Sequence, residues 1–354
     1  MKVDYLIIGQ GLAGTVMAET LLGRKKKIMV MGDSAGDSAS MVAAGLFNPI
    51  TGKRMVRTWR ASELFPFMDR FYSELEKKLK VKFKHSKPIY KPFSSIQEQN
   101  FWISNSTSEE NEKFVNTKVQ HEKYSNYIHN EFGGFETAYS GNIDLPELLG
   151  VYREYLISIN SYREYQWKPS ELLFTAEGVQ VADIKADKII FCEGYKAKDN
   201  PFFNWLPLGK TKGEVLTIAI DDFLKDAIVN KSVFVLPTED KHYKVGSTYK
   251  WEFDDVGPTE EGRAEILSKL DEFIKCDYKV VAHEAGIRPT VKDRRPLLGM
   301  HPEYPALVIF NGLGTKGVSL APFFADQLAS YLEGNKELEE EVNIKRFYSL
   351  YYTI

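Results

Sequence analysis

Apolar and polar positions recur along this chain with two periods, and the change from one to the other marks its elements. Residues 3–8 are an apolar run with no turn residue inside, ending at a cluster of glycines. Ala13, Val16, Met17, Thr20 and Leu21 then recur at helical spacing, and Arg24, Lys25, Lys26 and Lys27 stand where a helix C-terminus favours positive charge. A second apolar run covers 28–31. The spacing predicts a buried strand, a tight turn, a helix and a second strand.

Further along, Leu64, Phe67, Met68, Phe71, Tyr72 and Leu75 share one face of a helix predicted over 62–80. Residues 82–140 read as short strands and polar, aromatic turns without a comparable helical period, with a surface loop at 106–112. Asn142-Ile143-Asp144-Leu145-Pro146 opens a helix running to 159, and 186–194 is an apolar strand ending at Gly194. Alternation typical of strands returns over 206–256, notably at 215–218, 234–236 and 243–246. An amphipathic helix follows at 258–273, an α/β pattern resumes at 284, and a last helix covers 318–332. Sheet-building segments therefore sit at the start, middle and end, with two antiparallel blocks between. The expected fold class is α/β. A Rossmann-like cofactor domain would be built from 1–60, 141–205 and 284–354. A second, antiparallel-sheet substrate domain, from 61–140 and 206–283, would be inserted discontinuously.

Composition narrows the function classes. A chain of 354 residues with 43% hydrophobic and 27% charged residues is an ordinary globular protein. Its net charge of −3 gives no support to a nucleic acid or anionic membrane acting through bulk electrostatics. Cys192 and Cys276 lack C-x-x-C spacing, which argues against a disulfide framework and a structural zinc site and fits a reducing cytoplasm. No stretch reaches the length of a membrane span, so a soluble cytoplasmic protein is expected. Lys53, Arg54, Arg57 and Arg60 cluster around Trp59, as a solvated or cofactor-side basic turn or as a site for a local anion.

The candidate chemistry begins at Gly9, Gly11 and Gly14, a G-x-G-x-x-G between strand and helix. The first glycine permits the turn, the second lets main chain approach a pyrophosphate, and the third lets helix and strand pack closely. The helix start then presents free N–H groups to the anion. Asp33 lies about 20 residues further on, where an acid is expected to hold a ribose. After it, Ser38 and Ser40 offer hydroxyls to phosphate oxygens, and Ala43-Ala44-Gly45 lets backbone lie against a planar ligand, unless this stretch is only a surface loop. The turn at 312–317 leaves N–H groups free at the start of the last helix, either to face a ligand or only to begin the helix.

Taken in order, Gly9 to Gly14, Ala43-Ala44-Gly45, Gly133-Gly134-Phe135, residues 186–194, Gly286-Ile287-Arg288-Pro289, residues 296–299 and residues 312–322 resemble the D-amino acid oxidase superfamily of FAD-dependent oxidoreductases. The glycine oxidase branch is the most similar, and the flavin domain of the bacterial bifunctional enzyme that matures aminomethyl-uridine in tRNA is similar as well. The resemblance implies non-covalent FAD, since no cysteine stands near the motif at 286–288. It implies a cofactor site made by Gly9, Gly11, Leu12, Ala13, Gly14, Gly32, Asp33, Ser40, Ala43, Ala44, Gly45, Leu46, Trp167, Gly194, Arg288, Leu313, Gly314, Thr315, Lys316, Gly317 and Val318. Arg288 would grip a substrate carboxylate, for which a guanidinium is suited, or else pair with an internal acid. Lys316 would add charge beside the flavin C2 carbonyl, at a positive helix end.

The implied reaction is oxidation of the C–N bond of an amino acid or secondary amine bearing a carboxylate, by hydride transfer to flavin N5, with oxygen or another carrier as acceptor. Two alternatives stay open. A flavin dehydrogenase of a 2-hydroxy acid would need a base such as His242. An accessory flavoprotein subunit or tRNA-associated partner would need an apolar or a basic face. His242, Tyr243, Tyr249 and Trp251 lie on the block expected to face the flavin, with core or surface roles as their default. The chain departs from the family at Gly32, where the ribose acid is displaced to Asp33, and at Glu193, which replaces a small residue. Phe234 stands for a substrate-binding tyrosine and Thr315 for an arginine, which weakens any transfer of glycine specificity, while Lys316 and the basic Lys53 to Arg60 segment suggest a different, more acidic substrate.

Overall fold

The computed structural model of the protein describes residues 1–33, 38–51, 56–106, 111–239 and 241–352, without the side chains of Glu112 and Thr117. In chain order β1 (Lys2–Ile8) turns into α1 (Leu12–Gly23) and β2 (Ile28–Gly32), followed by α2 (Ala39–Val42) and α3 (Ala61–Leu79). Then come β3 (Ile89–Pro92), α4 (Ile96–Ser106), β4 (Val115–Gln120), β5 (Gly134–Thr137) and α5 (Leu145–Ser158). The middle holds β6 (Tyr162–Glu164), β7 (Leu172–Thr175), β8 (Gly178–Val181), β9 (Ile184–Phe191) and β10 (Leu208–Ala219). It continues through β11 (Ile228–Asn230), β12 (Phe234–Pro237), β13 (His242–Gly246) and α6 (Glu260–Asp271). The chain ends with β14 (Lys279–Val291), β15 (Leu297–Met300), β16 (Leu307–Asn311) and α7 (Gly317–Leu332) before short C-terminal turns.

Two large sheets carry this mixed α/β fold. The first runs β6-β2-β1-β9-β8-β7, with β16 also parallel to β9 and β15 antiparallel to β16. Alternate residues of its central strands point to opposite faces, and both faces are apolar, as an interior parallel sheet requires. Tyr5, Ile7, Val30 and Ile190 pack with α1, α3, α5 and α7, while Leu6, Ile8, Met31 and Phe191 pack with Phe203, Trp205 and Ile344. The second sheet runs β14-β10-β13-β12-β11-β3-β5-β4. One face holds Leu216, Ile218, Val235, Tyr243 and Val245 against Ile266, Leu270 and Phe273 of and after α6. The opposite face of β10, β12 and β14 turns toward the first sheet's carboxyl edge.

Local chemistry explains the helix boundaries. Asp144 caps α5 by accepting a hydrogen bond from the Glu147 N–H at 3.1 Å, with Pro146 in the first turn. Thr259 caps α6 in the same way through the Gly262 N–H at 3.1 Å. Arg24, at the end of α1, reaches Asp326 of α7 at 2.5 Å and Glu333 just beyond it at 2.6 Å, tying the two helices together at that end.

Two readings change against the coordinates. Residues 96–106, read as part of a strand-and-turn region, form α4, whose apolar side chains do not make a stripe. Trp102 is buried, but Ile96, Phe101 and Ile103 are exposed, so the helical period is hidden. Residues 284–291, read as a return to α/β pattern beside the cofactor segments, belong to β14, which pairs antiparallel along β10 in the second sheet. The loop expected at 106–112 lies largely outside the described residues, as do Lys53 and Arg54. No described helix is long and apolar enough to cross a membrane.

Candidate active site

A cavity of about 970 Å³ lies where the carboxyl edge of the first sheet meets the second. The glycine turn forms one end. A Cβ on Gly14 would lie 1.8 Å from the Gly9 carbonyl oxygen, and one on Gly9, where φ is +99°, would lie 2.5 Å from the Cys192 carbonyl oxygen. Only glycine lets β1, β9 and α1 meet this closely. Gly11, Leu12 and Ala13 face the cavity at the start of α1. No side chain caps this helix through Gly11, and the Leu12 N–H donates to Ser40 Oγ at 3.2 Å.

Asp33, Ser40, Ala43, Ala44, Gly45 and Leu46 also line the cavity, as do Trp167 and Gly194. Gly32 and Gly14 do not. They serve close packing behind the wall, Gly32 against Tyr162 and Gln10. Leu313, Gly314, Thr315, Lys316, Gly317 and Val318 line the opposite end, where α7 begins without a side-chain cap. Two helix starts, neither capped by the side chain of its own N-cap residue, thus face one elongated space, a donor arrangement that fits the phosphates and the ring of a dinucleotide.

Arg288 projects from β14 into the same cavity and is half-buried. Its Nη2 donates to Ser247 Oγ at 2.8 Å and its Nη1 to the Thr248 carbonyl at 3.3 Å. The Tyr249 ring lies 4.6 Å from its Cζ. Burial pushes its pKa down, with Tyr249 opposing. Among the described residues no carboxylate pairs with it, so the internal ion pair that an arginine before proline can make is absent there.

Lys316 Nζ donates to Thr58 Oγ1 at 3.1 Å and approaches Thr51 Oγ1 at 3.5 Å. Burial, and then the neighbouring Arg294 and Arg295, hold its pKa below that of an ordinary lysine. Arg60, by contrast, is engaged by Glu63 at 2.6 Å and by Glu339, and Arg295 stacks over Trp59 at 3.9 Å. The described part of the basic segment is therefore largely tied into the fold.

Glu193 accepts from the Trp167 indole at 2.6 Å and from Asn200 Nδ2 at 2.8 Å, and burial raises its pKa above the usual carboxylate range. Of the aromatic block, Tyr249 reaches the cavity. Tyr243 is buried, donating to the Phe223 carbonyl at 3.2 Å, Trp251 is exposed, and His242 stands outside the lining. Phe234 and Val215 supply apolar wall. Sequence reasoning missed Gly213, Ser247 and Arg153 as lining residues. An isolated glycine within a strand pattern was the available signal for Gly213, since it marks close approach of another group.

The family model described as "FAD dependent oxidoreductase" matches residues 4–331. The glycine oxidase of Pseudomonas aeruginosa is 28% identical over 161 residues, 44% of each chain. The tRNA 5-methylaminomethyl-2-thiouridine biosynthesis bifunctional protein of Marinobacter nauticus is 22% identical over 92% of this chain and 54% of its own. The matches to glycine oxidases thus span less than half the length of those relatives. Among solved structures, glycine oxidase from Geobacillus kaustophilus superposes with a TM-score of 0.75 at 19% identity, covering 98% of both chains. Iminodiacetate oxidase from Chelativorans sp. superposes with a TM-score of 0.77 at 19% identity over 97% of this chain and 98% of its own.

Proposed function

The chain belongs to the DAO family of FAD dependent oxidoreductases, and from that premise we propose that it oxidises the C–N bond of an amino acid or secondary amine bearing a carboxylate. The observation that carries the proposal is Arg288, a recessed guanidinium without an acid partner among the described residues, set in the cavity that also holds the dinucleotide cradle. A bidentate carboxylate contact there would fix the substrate's Cα at a reproducible distance from the cofactor ring.

FAD, the family's cofactor, supplies when bound the acceptor for the hydride leaving the substrate Cα–H. The residues around the cavity supply the rest. Gly9, Gly11, Leu12 and Ala13 would hold the pyrophosphate, Asp33 the ribose, and Ala43 to Leu46 the ring edge. The N–H groups at the start of α7, with Lys316, would stabilise negative charge at the ring's C2 carbonyl. Phe234 and Val215 would keep water from the reacting carbon. The imine product would hydrolyse after release, and oxygen or another carrier would take the electrons.

We assign residues 1–60, 141–205 and 284–354 to cofactor binding and 61–140 and 206–283 to substrate binding, with β14 reaching from the first group into the second sheet. A cytoplasmic location is part of the same proposal. The amine reading is favoured over 2-hydroxy acid oxidation because among the described residues no histidine lines the cavity and His242, the base that alternative calls for, stands outside it. Anaerobic mixing of the yellow protein with glycine, sarcosine, proline, iminodiacetate and lactate tests this. Bleaching by an amine and not by lactate is expected, and bleaching by lactate alone would reverse the assignment. Admitting air then separates an oxidase from a dehydrogenase by the speed of recolouring.

A further inference from the structure

Gly213 and Arg288 occupy neighbouring antiparallel strands whose register sets Thr211 opposite Arg288 and Gly213 opposite Gly286. Directly opposed residues share a face, so Gly213 and Arg288 are diagonal neighbours on the cavity side. The guanidinium does not remain over its own strand. It crosses β10 to reach Ser247 and Thr248, beyond the end of β13.

The crossing point is Gly213. A Cβ there would lie 2.0 Å from Arg288 Nη2, 2.1 Å from Nη1 and 2.2 Å from Cζ. A side chain at 213 and the guanidinium in this position exclude each other. Tyr249 covers the guanidinium with its ring at 4.6 Å, so backbone and aromatic ring hold the group between them. An arginine has five N–H donors, and the described residues use two of them here, leaving three for a ligand. Glycine inside a strand weakens it relative to alanine, so its presence in β10 calls for a reason such as this close approach.

We propose that Gly213 is a positioning residue for carboxylate recognition: its missing side chain opens the lane through which Arg288 crosses β10 and presents its free edge to the cavity. The proposal rests on the reading that Arg288 binds the substrate carboxylate.

The test uses the FAD-loaded protein and acetate as probe, with acetamide as the uncharged control, read by perturbation of the flavin absorption spectrum. Gly213→Ala should weaken acetate binding about 10- to 100-fold, leave acetamide unaffected, and add nothing in an Arg288→Ala background, because coupled residues are not additive. Unchanged acetate binding by Gly213→Ala, or an equal loss in the Arg288→Ala background, would overturn the proposal. Arg288→Ala binding acetate as the wild type does, or a wild type that does not respond to acetate, would instead sink the carboxylate reading itself. If Gly213→Ala cannot retain FAD, the double variant decides. Recovery of FAD in Gly213→Ala/Arg288→Ala identifies the clash with Arg288 as the cause, and continued loss assigns the glycine to folding alone.

Discussion

Trp167 donates its indole N–H to the Glu193 carboxylate at 2.6 Å, in a recess where Asn200 donates to the other oxygen at 2.8 Å. The carboxylate stands just past the end of β9, where Gly194 turns the chain, and both Trp167 and Glu193 line the cavity, so the pair braces its wall. Burial is the largest influence on it and raises its pKa, and the two donors only partly offset that.

A glutamate whose folded pKa is raised contributes stability that is fully present below its unfolded pKa and lost as pH rises through the folded value. Glu193→Gln carries no such dependence. The variant should therefore gain stability relative to the wild type over the pH range above the unfolded glutamate value of about 4.3. Thermal melts of the holoprotein across that range check this, and a constant difference would contradict it.

Gly14→Ala places a methyl where 1.8 Å separates it from the Gly9 carbonyl oxygen. Strand and helix must part, and the turn proposed to hold the phosphates opens. The variant should purify with on the order of a hundredfold weaker FAD affinity, equivalent to about 2.7 kcal/mol. Flavin release measured by ultrafiltration reports it directly.

Glu214 is fully buried and accepts from the Thr259 N–H at 3.0 Å and Oγ1 at 2.8 Å, with Lys212 Nζ at 3.4 Å and His283 Nε2 at 2.9 Å. Burial alone would raise its pKa, but the Thr259 donors and Lys212 outweigh it and hold the carboxyl below its usual range. Stability from such a group is present above the unfolded pKa and lost as pH falls through the folded one. Glu214→Gln leaves Lys212 buried without its countercharge and should cost roughly 3–5 kcal/mol at neutral pH, with the difference shrinking in acid. Denaturant melts at two pH values would show it.

Lys316 lies among Arg294 and Arg295 and is half-buried at the start of α7. Removing its charge with Lys316→Met should lower the two-electron potential of bound FAD by roughly 30 mV, about 1.4 kcal/mol. Spectroelectrochemical titration measures the shift, and an unchanged potential would remove Lys316 from the flavin's surroundings.

What could be read from sequence was what is local. Gly9, Gly11 and Gly14 announce their turn within six consecutive residues, and Asp144 announces a helix by its place before Leu145 and Pro146. The α4 helix was hidden because Ile96, Phe101 and Ile103 face solvent while Trp102 alone of its large side chains is buried. Arg288 was legible as a residue type in a motif, but its setting was not. Its partners Ser247 and Thr248 and its lane over Gly213 come from strands brought together only by the pairing of β10 with β13 and β14. The same long-range pairing drew residues 284–291 into the second sheet.

The most direct test of the central claim is rapid anaerobic reduction of wild type and Arg288→Lys by the amine substrate that bleaches the flavin, over a range of concentrations. The account predicts that the lysine variant, keeping the charge but losing the two-pronged grip, binds that substrate roughly 30- to 100-fold more weakly, a loss of about 2–3 kcal/mol. Its FAD content should be unchanged. Equal substrate affinity in the two proteins would contradict the assignment of Arg288 to the carboxylate.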